Sequence, residues 1–228
     1  MVKCLLFDID DTLFPSTEFS TLARRNALNA IIGMGFVCDY EKLESMLKLI
    51  IAKKGPNYPN HFDDLCREFG CREPGRFVAA AVAAYHDTKT SIAPYPEVPL
   101  TLLNLRERGY RLFAATQGNS IKQWDKLIRL RIALYFEGVF VSEELGEDKG
   151  PGFYRKILEK LGAEPTDCVM VGDREDHDIA PAKGIGMRTI RVKSGKHAGE
   201  PTKADFTVSG IGQIPVILQG LRAPKKDL

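Results

Sequence analysis

Residues 3–15 read Lys3-Cys-Leu-Leu-Phe-Asp-Ile-Asp-Asp-Thr-Leu-Phe-Pro15. Cys4, Leu5, Leu6 and Phe7 form an unbroken apolar block, and the block runs into three carboxylates, Asp8, Asp10 and Asp11, followed by Thr12. A continuous apolar run without alternation suits a strand covered on both faces, as in a parallel sheet. A buried strand has no reason of its own to end in clustered acids, because like charges repel and unpaired burial is costly. An acidic turn before a helix is the plain reading of the segment. The sharper one is a cation site with a nucleophilic carboxylate at the carboxyl end of a central strand, where open α/β sheets place their ligands.

Beyond Pro15 the period changes. Phe19, Leu22, Ala23, Ala27, Ala30 and Ile31 recur at helical spacing up to Gly33 and Gly35. Asp39 is placed to cap a second helix, stopped by Gly55-Pro56. A shorter helix follows around Phe62–Phe69 and another over Phe77–His86, before Pro94, Pro96 and Pro99 mark a boundary. From there helices and strands alternate: helix Val98–Arg108, strand Tyr110–Thr116, helix Ile121–Leu130, strand Gly138–Ser142, helix Phe153–Leu161, strand Cys168–Gly172, helix Ile179–Lys183, strand Met187–Val192, a weak strand Phe206–Val208 and a last helix Ile211–Leu221. The tail, Pro224–Leu228, is expected to fray. Alternation of this kind implies right-handed βαβ units and a Rossmann-like, mostly parallel sheet with helices on both faces. The fold class is therefore α/β, with 1–15 and 95–228 as the α/β core and 16–94 as an all-helical domain inserted after the first strand.

Three further strand ends carry polar groups. Thr116 is followed by Gln117, Gly118, Asn119 and Ser120, a hydroxyl, a glycine and a helix start that could cradle an anion. Read alone, it is an ordinary turn capped by Asn119 or Ser120. Lys149 lies in the loop after the strand Gly138–Ser142, among Glu143, Glu144, Glu147 and Asp148, as a charge-balancing partner for the aspartates. The run VMVGDREDHD ends its strand in Asp173 and brings Asp178 five residues later, with Asp176 placed to cap the next helix and His177 exposed or structural. Each signal is weak alone; the topology of an open sheet gathers all four into one crevice.

Bulk properties narrow the function. The chain has 228 residues, 44% hydrophobic and 27% charged, enough for a sizeable core. Thirty-two basic against 30 acidic residues leave a net charge of +2, which offers no footprint for nucleic acid. No apolar stretch reaches the length of a membrane span, and no targeting segment is read at the N-terminus. The five cysteines, Cys4, Cys38, Cys66, Cys71 and Cys168, are odd in number and lack a C-x-x-C pair, so they read as reduced and the location as cytoplasmic.

The four motifs, taken in order, resemble the haloacid dehalogenase-like hydrolase superfamily. FDIDDTLF resembles its D-x-D-x-T signature, LFAATQGN its second motif, Lys149 its lysine, and VGDREDHDI its acidic fourth motif. The helical insertion matches the cap common to small-molecule phosphatases of that family. Two positions depart from the pattern: Lys149 is followed by Gly150 where proline is usual, and the pair after the cap is Pro96-Glu97 rather than Pro-Gly. Within the family the chain looks most like archaeal phosphatases of small phosphorylated metabolites, glyceraldehyde 3-phosphate among them.

The resemblance implies a Mg2+-dependent phosphatase. Asp8 would be the nucleophile and Asp10 the general acid/base, with Thr116, Gln117, Gly118 and Lys149 on the phosphate. The Asp8 carboxylate, the Asp10 carbonyl and Asp173 would hold the metal, and Thr12 and Asp178 would support the site. Asp178 would accept from metal-bound water or from Lys149, and Thr12 would orient Asp10 or its loop. The implied partner is a small phosphorylated substrate, with no nucleic acid and no membrane, in a monomer or homodimer. A 2-haloacid dehalogenase, a phosphomutase of the same fold and an inactive binding protein are the alternatives.

Overall fold

The computed structural model describes residues 2–222; the expected fraying of 224–228 lies outside them. The strands are β1 (Cys4–Phe7), β2 (Arg111–Thr116), β3 (Gly138–Val141), β4 (Cys168–Gly172), β5 (Arg188–Val192) and β6 (Phe206–Val208). They form one six-stranded sheet in the order β3-β2-β1-β4-β5-β6, every pairing parallel. The order reverses beside β1, the first strand, so its carboxyl end opens at the crevice where such sheets bind ligands.

The helices are α1 (Ser16–Gly33), α2 (Tyr40–Lys54), α3 (His61–Glu68), α4 (Gly75–Thr90), α5 (Val98–Glu107), α6 (Ser120–Arg129), α7 (Ser142–Leu145), α8 (Pro151–Leu161), α9 (Ala180–Gly184) and α10 (Ile214–Arg222). One sheet face carries Cys4, Leu6, Phe113, Ala115, Cys168 and Met170, packed with Phe153, Tyr154 and Ile157 of α8 and Ala182 of α9. The alternate residues Leu5, Phe7, Leu112, Ala114, Val169 and Val171 are fully buried too, on the opposite face. Elsewhere in the core α5 meets β2, and α10 meets α5. Burial of β1 on both faces is the reason its apolar run does not alternate.

Two compact units emerge: Met1–Thr17 with Ala93–Leu228, and Glu18–Ile92. The second has its own apolar core, built on Ala27, Ile31, Leu43, Leu47, Leu65 and Phe77. Its limits fall slightly inside the expected 16–94, for physical reasons. Asp11 accepts from the Thr17 amide, holding the first residues of α1 with the sheet. The Tyr95 amide donates to the Leu13 carbonyl, holding the returning chain there as well.

The expected elements recur with small shifts, and three details differ. Ser142, read as the end of a strand, and Glu143–Leu145, read as loop, form a helical turn closed by Gly146 in the left-handed region. The last helix begins as a tight 3-10 turn, Ile211–Gln213, before α10. Asp176 does not cap a helix: it lies inside a wide helical turn, Glu175–Ile179, and pairs with Arg174 and His177. Among the described residues no helix is long and apolar enough to cross a membrane.

Leu6, fully buried at the centre of the sheet, tests the core. Leu6→Ala is expected to lower unfolding free energy by about 2–5 kcal/mol, measured by urea denaturation with an unchanged m-value.

Candidate active site

Asp8 follows β1 and is tied to the neighbouring strand by a hydrogen bond from its amide to the Val171 carbonyl, 2.9 Å. On the other side of β1 the buried Thr116 ends β2. Asp173 follows β4 directly, 3% exposed. The sheet therefore places Asp8 between the second and fourth motifs. Lys149 comes from the loop between α7 and α8 and is also buried. Its ammonium donates to Asp8 Oδ1 at 2.5 Å and to Asp178 Oδ1 at 2.6 Å. The departure from lysine-proline leaves this lysine in place, because Gly150 takes an extended conformation and Pro151 opens α8 one residue later.

Asp178 is 1% exposed and held from three sides. Lys149 reaches one oxygen, and the Arg174 amide donates to the other at 3.0 Å. Below it lies Gly172, where a Cβ would stand 2.4 Å from the Asp178 carboxyl carbon. The direct contact with Lys149, one of two expected for Asp178, is thus formed.

Ligand oxygens of Asp8, Asp173 and Asp178 all lie within 4.8 Å of one another. Three buried acids facing one ammonium cannot all ionise without further positive charge. Burial pushes the Asp8 carboxyl up to about 7, against the pull of Lys149 and helped by the Asp178 and Asp10 charges. Burial, then the Asp8 and Asp178 charges, push Asp173 up to about 9. Burial alone would lower Lys149; Asp178 and Asp8 more than offset it and hold the ammonium above its ordinary value. Hard oxygen donors that need further positive charge in order to ionise together fit a divalent cation. Asp10 contributes no carboxylate to this cluster.

The structure brings together Asp8, Lys149, Asp173 and Asp178, with Thr116 at the adjacent strand end. It alters the expected anion cradle. The Gly118 amide donates to Ser142 Oγ at 2.9 Å, and Gln117 reaches Asp148 at 3.1 Å. The α6 N-terminus is filled by the chain's own Glu143, which accepts from the Ser120 amide at 2.7 Å and from Asn119. The helix-start amide is therefore engaged inside the protein, and Asn119 caps α6. The Thr12 hydroxyl, expected to orient Asp10 or its loop, is buried with no hydrogen-bond partner among the described residues.

Several supports have no clear signal in the sequence. Asp11, with no role assigned, adopts φ +53 and accepts from the amide and hydroxyl of Thr17. Ser194 Oγ donates to its carbonyl, and Gly195 leaves room for its side chain. Arg191 is fully buried and donates to the carbonyls of Asp173 (3.0 Å), Pro201 (2.8 Å) and His197 (2.7 Å). It thereby fixes the backbone of the acid after β4. An arginine within the strand Arg188–Val192 is the one available hint.

A family model for haloacid dehalogenase-like hydrolases matches residues 2–186. The chain belongs to that family. It is 45% identical over 210 residues to a protein of Methanopyrus kandleri named glyceraldehyde 3-phosphate phosphatase, covering 90% of each chain. A protein of the same name from Methanocaldococcus jannaschii is 38% identical over 231 residues, covering both chains fully. Among solved structures, a putative beta-phosphoglucomutase from Thermotoga maritima shares the fold with a TM-score of 0.72 at 19% identity, covering 96% of this chain and 100% of that one. The resemblance read from the four motifs is thus borne out at the level of family.

Two outcomes test the site. Gly172→Ala should displace the Asp178 carboxylate, leaving the circular-dichroism spectrum native while hydrolytic activity falls at least about tenfold. The second concerns pH. Asp8 and Asp173 bind protons more tightly folded than unfolded, so their contribution to stability is present at low pH and lost as pH rises. In EDTA the melting temperature should fall between about pH 4 and about pH 9, the window bounded by the ordinary carboxylate value and Asp173 at about 9. Added divalent cation should raise it again at the upper end.

Proposed function

We propose that this hydrolase is a Mg2+-dependent phosphatase that cleaves a small phosphorylated metabolite through an aspartyl-phosphate, with glyceraldehyde 3-phosphate as the candidate substrate. The observation that carries the reading is Asp8, buried at the end of β1, in contact with Lys149 and clustered with Asp173 and Asp178. The archaeal relatives supply the substrate candidate by name. The cluster also speaks against a dehalogenase, which needs a carboxylate nucleophile but no cation.

Asp8 would attack phosphorus as its carboxylate, and the bond to the leaving oxygen breaks. Asp10 donates a proton to that oxygen, releasing the alcohol. Asp10 then takes a proton from water, whose oxygen bonds to phosphorus, and the acyl-phosphate bond breaks to return Asp8 and free phosphate. Lys149 orients Asp8 throughout, and its charge, with the Thr116 hydroxyl, favours the phosphoryl oxygens as negative charge gathers there. Asp8, Asp173 and the Asp10 carbonyl would hold Mg2+, which when bound supplies charge neutralisation at the phosphoryl group. Asp178 keeps Lys149 in place. Mg2+ suits a site of few carboxylates completed by phosphate and water. Five free cysteines fit a reducing, cytoplasmic setting.

Hydrolysis of p-nitrophenyl phosphate and of glyceraldehyde 3-phosphate should require Mg2+ and stop in EDTA. Asp8→Asn should reduce kcat by about 10³-fold or more with the fold intact. Metal-independent turnover, or full activity in Asp8→Asn, would refute the reading.

A further inference from the structure

Lys126 belongs to no motif. It sits in the last turn of α6, yet its ammonium reaches both carboxylate oxygens of Asp10, at 2.7 and 2.6 Å, across 116 residues of sequence. The same ammonium stands 5.9 Å from the centre of the Phe14 ring. Asp10 and Phe14 are themselves joined by a parallel β-bridge, so Lys126 sits on both ends of the turn 10–14.

The pair is partly exposed, with side chains 26% and 36% accessible. Such pairs contribute little to stability. What this one supplies is geometry. Asp10 lies on a turn, its carboxylate is outside the acidic cluster, and the buried Thr12 hydroxyl makes no hydrogen bond to it. A cation bonded to both oxygens restricts the side-chain torsions that would otherwise let the carboxylate wander. Proton transfer needs the donor within about 3 Å of the leaving oxygen, and small misplacements are expensive.

We propose that Lys126 is a positioning residue that keeps hold of one Asp10 oxygen while the other, released by the ammonium, takes up a proton and passes it to the leaving-group oxygen, so that proton delivery depends on it while phosphate binding does not. The proposal rests on Asp10 being the general acid/base. It assigns to α6 a second task besides connecting β2 to β3: its last turn holds the acid that β1 delivers.

Leaving groups separate this role from a structural one. p-Nitrophenolate departs without a proton, whereas the alkoxide of an alkyl phosphate such as glyceraldehyde 3-phosphate needs one. The quantity to follow is kcat/KM, which reports the first transfer, for the full chain with Mg2+. Lys126→Met should lower it on the alkyl phosphate by at least about tenfold, and on p-nitrophenyl phosphate by less than about threefold. The inhibition constant of inorganic phosphate and the melting temperature should stay unchanged. Lys126→Arg should recover most of the loss, and Lys126→Met should add nothing in an Asp10→Asn background. Equal losses on both substrates, a weakened phosphate inhibition, or a loss that persists in Asp10→Asn would overturn the proposal. If Asp10→Asn loses alkyl-phosphate turnover while Lys126→Met behaves as the parent, Lys126 alone is misassigned. If Asp10→Asn retains alkyl-phosphate turnover, the acid role of Asp10 falls and the proposal falls with it.

Discussion

Lys149 and the two carboxylates it bridges, Asp8 and Asp178, are the contact on which the rest of the molecule converges. Burying a charge is costly unless partners are provided, and here the partners arrive from three separate stretches of the chain. Asp8 comes from the end of β1, Asp178 from the turn after β4, and Lys149 from the loop before α8. The ammonium satisfies two acids, yet Asp173 stands within the same cluster, and the three cannot all ionise without further positive charge. That requirement fits the cluster of oxygens to a divalent cation.

Such a site needs a rigid frame, and the frame is the parallel register of the sheet. Phe7 aligns with Ala114 on one side and Val171 on the other, so the residues beyond them emerge together. Small groups then refine the placement. Gly172 leaves the space that Asp178 fills, Arg191 clamps the Asp173 carbonyl, and Asp11 turns the chain into α1 by accepting from Thr17. Glu143 answers the dipole of α6 from within the protein, and the pairing with Ser120 and Asn119 holds its carboxyl below the usual range. The start of α6 is thereby engaged inside the protein.

How far the sequence can be read depends on how local each signal is. The unbroken run of β1, the glycines closing helices and the four polar strand ends are short patterns with direct physical meaning, and the elements they foretell are formed. Asp176 misleads because an acid after a loop resembles a cap, while the chain here widens into a helical turn around it. Ser142–Leu145 escapes notice because one helical turn is too short to show a period. Lys126 and Asp10 are 116 residues apart, and nothing about a lysine in an amphipathic helix marks its partner.

The order of residues is enough to specify the α/β class, the helical insertion after the first strand and the family, and it marks the acids and the lysine that the fold brings together. Hydrophobic period, turn residues and motif spacing act over a few residues, and a chain carries them openly. The pairing of the charges is decided by packing: Lys149 between Asp8 and Asp178, Lys126 on Asp10, Glu143 on the start of α6, and Arg191 beneath Asp173. Electrostatic pairing is set by distance in space and by burial. Those are fixed when β1 is packed between β2 and β4, and no spacing along the chain encodes them.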